Sequence, residues 1–395
     1  MSIAVTVGPA GADFVGADSM VIQAAIEYVA ARGGGTVKLL PGTYSLFNSV
    51  RLRTGIELVG SGPETLLFKE PSVTVPLVED TDWYEHQVTV SDASGFRVGG
   101  GVMLQSKCPH YGGLQVTIST VVGIEGNTLL LQDAGRGLDV PAHVGNFWVG
   151  YEATASSFFS LVTANWAHDI RVADLRIDGN RAHSGAPNGN YGAALYFQDC
   201  ERVHLQGLTV GNIDSDCLSF QIVHDLTVED SLFHDSQQGM HTGSGSQRPI
   251  MRNNVVRNIS RHGVSWCWGV RHGVLEGNTI EDSVTGISIG HRDTDNIMRG
   301  NVVRRCDEGL VYRDDPPHQA AHNNLIEGNT FEDIRSGYGV EMLAPVEGNI
   351  IRGNRFVNVK TAVRIGETVK SVTVEGNVLE GVEAEVEDLR EGDRH

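Results

Sequence analysis

The chain superposes on itself. The six-residue stretches VADLRI (172–177), LQGLTV (205–210), VEDSLF (228–233), MRNNVV (251–256), LEGNTI (275–280), MRGNVV (298–303), IEGNTF (326–331), IRGNRF (351–356) and VEGNVL (374–379) fall into one register. Their fourth positions step along the chain by 33, 23, 23, 24, 23, 28, 25 and 23 residues. Short β-branched runs and Gly/Asn turns at this period read as one solenoid coil per repeat. Leucine-rich repeats share the length, but their LxxLxLxxN pattern is absent, and no segment has the long amphipathic pattern of helical repeats. What remains is an all-β parallel β-helix, whose coils pair edge to edge around stacked aliphatic side chains. Six of the nine fourth positions are asparagine: Asn254, Asn278, Asn301, Asn329, Asn354 and Asn377. That column predicts an internal amide ladder at a bend, with a structural role.

The ends of the solenoid are also legible. Residues 18–32 place Ile22, Ile26, Val29 and Ala30 on one helical face, with Asp18 as N-cap and Gly33 as the stop. Such a helix would cover the otherwise open edge of the first coil. Residues 72–150 break the period and alternate apolar with polar between Gly-rich turns, which predicts an inserted antiparallel β module. The expected organisation is therefore a cap helix and first coils over 1–71, the module over 72–150, the main helix over 151–382, and a frayed charged tail over 383–395.

Composition removes several function classes. Lys and Arg total 30 against 49 Asp and Glu, a net charge of −19, which argues against nucleic acid or an anionic membrane as partner. No apolar run approaches the 18 residues of a membrane span. The five cysteines, Cys108, Cys200, Cys217, Cys267 and Cys306, form no CxxC pair and read as free thiols. The start, MSIAVTVGPAG, carries no basic and apolar leader, so the expectation is a soluble protein, either intracellular or secreted with its leader removed.

The segment with Ile22-Gln23-Ala24-Ala25-Ile26, Gly33-Gly34-Gly35-Thr36-Val37 and Pro41-Gly42-Thr43-Tyr44 resembles the N-terminal signature of the pectate-lyase-like superfamily of right-handed parallel β-helices. The resemblance implies the fold and a carbohydrate-active or carbohydrate-binding role. It does not choose among lyases, glycoside hydrolases, epimerases, fructan transferases and tailspikes. Asn212-Ile213-Asp214-Ser215-Asp216 is similar to the first Asp motif of polygalacturonases, but Ser236-Gln237-Gln238 stands where the paired Asp is expected.

A second strand follows each repeat, and its side chains alternate between lumen and solvent. The outward positions form two columns. One runs Tyr196, Ser219, His241, Ser265, Ser288, Val311, Glu341; the other runs Gln198, Gln221, Gly243, Cys267, Gly290, Arg313, Leu343. Seven of the 15 histidines fall within residues 234–322, next to Trp268, Arg292, Asp293 and Asp314. Ionisable groups and an exposed aromatic along one ridge suit a groove for a polysaccharide.

Two chemistries compete for that groove. In β-elimination on a uronate polymer, Arg313 or Arg292 would neutralise the carboxylate, His241 or His262 would take the C5 proton, and Tyr196 would protonate the leaving oxygen. Hydrolysis or glycosyl transfer would instead need two carboxyls about 5–5.5 Å or 6.5–9.5 Å apart, drawn from Asp216, Asp293, Glu308 and Asp314. Elimination leads slightly, with Gln198, Gln221, Trp268, His291, Arg292, Asp293 and Glu308 as substrate contacts. A non-catalytic glycan binder is the third reading. No metal is required by any HxH or HExxH spacing; calcium held by aspartate pairs stays open, as does a homo-oligomer.

Overall fold

A computed structural model describes residues 3–82, 85–107, 113–132 and 146–390. Thirty strands join into one parallel sheet wound as a right-handed β-helix. Val162, Leu195 and Leu218 stand in register on successive coils, continued by Met240, Val264, Ile287, Leu310 and Val340. These side chains are buried, and with Phe197, Phe220, Trp266 and Tyr312 they fill the lumen.

The cap helix spans Ser19–Ala30, and Asp18 Oδ1 accepts from the Met20 and Val21 amides at 2.9 and 3.0 Å. Ile22, Ala25, Ile26 and Val29 are its buried apolar face. Ala25 takes the place expected for Ala30, because the 3.6-residue turn carries position 30 toward the rim.

The asparagine column is a ladder. Asn254, Asn278, Asn301, Asn329 and Asn354 each donate a side-chain amide to the Oδ1 of the next member, at 2.9–3.2 Å. Each also donates to a backbone carbonyl of the preceding coil. The residue before each ladder position lies in the left-handed region, as at Asn253 (φ 56°) and Gly277 (φ 65°), which accounts for the recurring Gly-Asn. A second ladder, Asn296–Asn324–Asn349, runs beside the first; with three members and unequal spacing it does not stand out in the sequence.

The interrupted region folds as a six-stranded antiparallel sheet, Thr74–Pro76, Thr154–Ser156, Gly101–Lys107, Leu114–Glu125, Thr128–Leu131 and Gln87–Thr89 in spatial order. It has its own core around Val88, Val102, Leu104, Val121, Leu129 and Phe147. The solenoid resumes without a gap: Val162 and Thr163 pair with Val50 and Arg51, and Arg176–Asp178 pairs with Leu66–Phe68. The expected frayed tail is corrected in part. Ala384–Asp388 is a further strand on Thr361–Ile365, because Val386 continues the Val363 row. Residues 391–395 and Cys108 lie outside the described residues.

Candidate functional site

Strand register places the outward columns as the alternation requires. Arg51, Thr163, Tyr196, Ser219, His241, Ser265, Ser288, Val311 and Glu341 stand one per coil. A third row, Asp216, Gln238, His262, Thr285, Glu308, runs parallel to it on the same coils. Polar side chains from these rows meet over the coils that carry His241 to Arg313.

His241 is the centre of the group. Its Nδ1 lies 2.8 Å from Asp216 Oδ2, and both side chains are almost wholly buried. The Gln238 amide bridges both Asp216 oxygens at 3.1 and 3.0 Å. The loop made by the long 33-residue step closes over the pair. Gly189 packs so tightly on Asp216 that a Cβ there would sit 1.8 Å from Oδ2, and the Gly189 carbonyl accepts from Ser219 Oγ at 2.6 Å. Burial works against protonating His241, but the hydrogen bond to Asp216 and a second to Cys267 outweigh it and hold the imidazole up at about 9. His241 is therefore an imidazolium at neutral pH, which corrects the expectation of a neutral base there.

His262 stands in the opposite state. It is half-buried, and its Nδ1 is buried without a partner. Burial first, then the charges of Arg261, Arg313 and His241, push it down to about 4. Two imidazoles within each other's field thus differ in protonation, one cationic and one neutral, as expected of an acid and base pair.

Arg313 turns across the coils. It donates through Nη1 to Ser288 Oγ at 2.9 Å and through Nη2 to the Trp266 carbonyl at 2.7 Å and to His291 Nδ1 at 3.1 Å; its buried Nε has no partner. His291 hands its other nitrogen to Asp315 Oδ1 at 3.1 Å and stacks on the exposed Trp268 at 4.4 Å. Burial and then Arg313 keep His291 below the usual histidine range. Cys267 Sγ lies 3.9 Å from His291 Nδ1, so Asp216, His241, Cys267, His291 and Arg313 form one continuous line.

Other expected residues fall elsewhere. Asp293 is fully buried, takes the Gly269 and Val270 amides at 2.9 and 2.8 Å, and is pushed up to about 7 by burial. It shapes a turn and cannot meet a substrate, which corrects its assignment as a contact. Tyr196 is two coils from His241, with Ser219 between, and its hydroxyl donates to the Asn190 carbonyl at 3.2 Å. It is not placed to act with His241. Glu308 accepts from Thr285 Oγ1 at 2.6 Å, Asp314 and Arg292 are exposed at the rim, and Gln198 and Gln221 are half-buried in the second column.

These features define the class: a right-handed parallel β-helix. The chain belongs to the NosD family, whose family model, described as "Periplasmic copper-binding protein (NosD)", matches residues 173–377, just over half of its length. No curated protein sequence matches it. Among solved structures it is similar to the A-module of mannuronan C-5 epimerase AlgE6 of Azotobacter vinelandii, with 14% identity, a TM-score of 0.59, and 96% of this chain and 94% of that one covered. It is also similar to an exopolygalacturonase of Thermotoga maritima, with 12% identity, a TM-score of 0.58, and 93% and 85% covered. The tailspike of E. coli bacteriophage HK620, bound to a pentasaccharide, matches with 10% identity, a TM-score of 0.56, and 94% and 60% covered. At these identities the likeness is one of fold.

Copper, implied by the family description, does not fit the described residues. Among them no three His, Cys, Asp or Glu side chains converge as ligands. The nearest approach, Cys267 between His241 and His291, has the Arg313 guanidinium against His291 Nδ1, where a metal cation would be repelled. Nor, among the described residues, is any helix long and apolar enough to cross a membrane.

Proposed function

We propose that the chain is a polysaccharide lyase that cleaves a uronate-containing glycan by β-elimination. The observation that carries this reading is the pair His241 and His262, one protonated and one neutral at pH 7, beside Arg313. Arg313 pairs with the uronate carboxylate, which makes the C5 proton acidic. Neutral His262 takes that proton. The C5–H electrons form the C4=C5 double bond, the C4–O bond breaks, and the leaving oxygen takes a proton from the His241 imidazolium. Solvent then returns both rings to their starting states.

The carboxylate-pair alternative keeps Glu308 and Asp314 but is left without its other two candidates. Asp216 is committed to His241 and Gln238, and Asp293 is fully buried against backbone amides and the Arg313 guanidinium, 3.6 Å away. Strongly shifted ionisable groups gather at catalytic sites, which favours an enzyme over a purely adhesive groove.

The test is absorbance at about 235 nm over a panel of polyuronates, since only elimination makes the conjugated product. Unsaturated product that disappears in H262Q and H241N supports the reading. Reducing ends without absorbance assign a hydrolase, and binding without any product assigns a glycan-binding protein; either overturns it.

A further inference from the structure

A cavity of about 620 Å³ opens where the inserted sheet meets the first coils, away from His241. Its walls include Arg51, Thr120, Trp166, Tyr196 and Gln198. Arg51, Thr163 and Tyr196 belong to the outward column that also holds His241. Four coil steps separate Arg51 from His241, about 19 Å at the spacing of paired strands. The Gly189 loop covers the column between them at Ser219, so the cavity is a separate opening in line with that column.

Two of its residues find few partners within the described chain. Arg51 is half-buried and, among the described residues, forms no ion pair; its one side-chain hydrogen bond is from Nη2 to Thr120 Oγ1 at 3.2 Å. The neighbouring Arg53 adds like charge, while Glu27 is taken up by Arg53 at 2.7 Å. A guanidinium withdrawn from water without an anion is costly, and an anionic ligand relieves that cost. Trp166 is 66% exposed and holds φ 54°, a left-handed turn position occupied in the following coils by Asp199 and Ile222. A bulky residue there is strained and buries little, so its ring is kept for something the chain itself does not supply. A flat aromatic face beside an unpaired guanidinium suits a sugar ring that carries a carboxylate.

We propose that this cavity is a binding subsite for one carboxylated sugar of an acidic glycan, with the carboxylate on Arg51 and the ring stacked on Trp166. The substrate class rests on the uronate reading above, whereas the subsite requires no particular reaction.

Calorimetric titration of the full-length protein with uronate hexamers and with their carboxyl-reduced, neutral counterparts tests this. Wild type should bind an acidic hexamer, W166A and R51Q should each bind it at least tenfold more weakly, and the neutral hexamer should not distinguish the three. An unchanged urea midpoint for W166A, whose ring is exposed, separates lost binding from lost fold. The subsite is overturned if both variants keep wild-type Kd, if the neutral hexamer binds as tightly as the acidic one, or if wild type binds none of the panel. Acidic binding that depends on Arg51 and Trp166 without unsaturated product upholds the subsite and removes the lyase. Unsaturated product with unchanged Kd and KM in both variants does the reverse.

Discussion

His241 donates from Nδ1 to Asp216 Oδ2 across 2.8 Å, and neither side chain is open to bulk water. Removing the carboxylate would leave a buried cation unpaired. Asp216→Asn is expected to cost about 3 kcal/mol, read from the urea midpoint at pH 7, and to abolish product formation. The sign in pH follows from His241 being raised from 6.5 to about 9. The pair's contribution is complete below about pH 6.5 and is lost as pH rises through 9, so the gap between wild type and variant should narrow over that window. A gap that is constant from pH 6 to 10 would show that the pair is not an ion pair.

Activity should follow the two imidazoles. Elimination needs His262 neutral and His241 protonated, so kcat/KM should fall below about pH 4 and above about pH 9. An acid limb near pH 6.5 would mean that the proton acceptor is an unperturbed histidine elsewhere.

Gly290 makes room for the arginine. A Cβ at this position would stand 2.2 Å from Asp315 Oδ2 and 2.9 Å from Arg313 Nε. Gly290→Ala should displace both, at a stability cost of about 1–3 kcal/mol, and lower kcat more than tenfold. Wild-type kcat in a folded G290A protein would remove Arg313 from the chemistry.

The ladder should carry more stability at its centre than at its end. Asn301 donates to Leu275 O and Asn329 Oδ1 and accepts from the Asn278 amides, all buried. Asn377 is part-exposed, and its side chain reaches Ile351 O at 3.4 Å. Asn301→Ala should lower stability by about 2–4 kcal/mol through stranded polar partners, and Asn377→Ala by about 1 kcal/mol or less. Equal urea midpoints for the two variants would contradict this.

Thiol reactivity should sort by burial. Cys200, Cys217 and Cys306 are buried, and burial pushes their thiols up to about 11, 12 and 11. Cys267 is half-exposed. Peptide mapping after brief alkylation of the folded protein at pH 7.5 should find Cys267 modified and these three intact.

The coil period, the Asn254–Asn377 ladder, the cap helix and the inward and outward parity of residues such as Met240 and His241 were legible because each rests on a repeat or an alternation within the chain. The columns extended further than the repeats suggested. The same parity carried back through Val50-Arg51 and forward through Val162–Asn165 would have brought in Arg51 and Thr163, but the insertion between them hides the continuity, and Trp166, at a left-handed turn just past the strand, falls outside the alternation.

What the sequence alone determined is the solenoid and which side chains leave its core, since strand alternation and coil period are local properties. It did not determine charge states or partners. His241 became protonated, His262 neutral and Asp293 a buried turn residue only once stacking set coils 22–25 residues apart against one another. Burial and neighbouring charge act through space, and the tertiary structure alone supplies those distances.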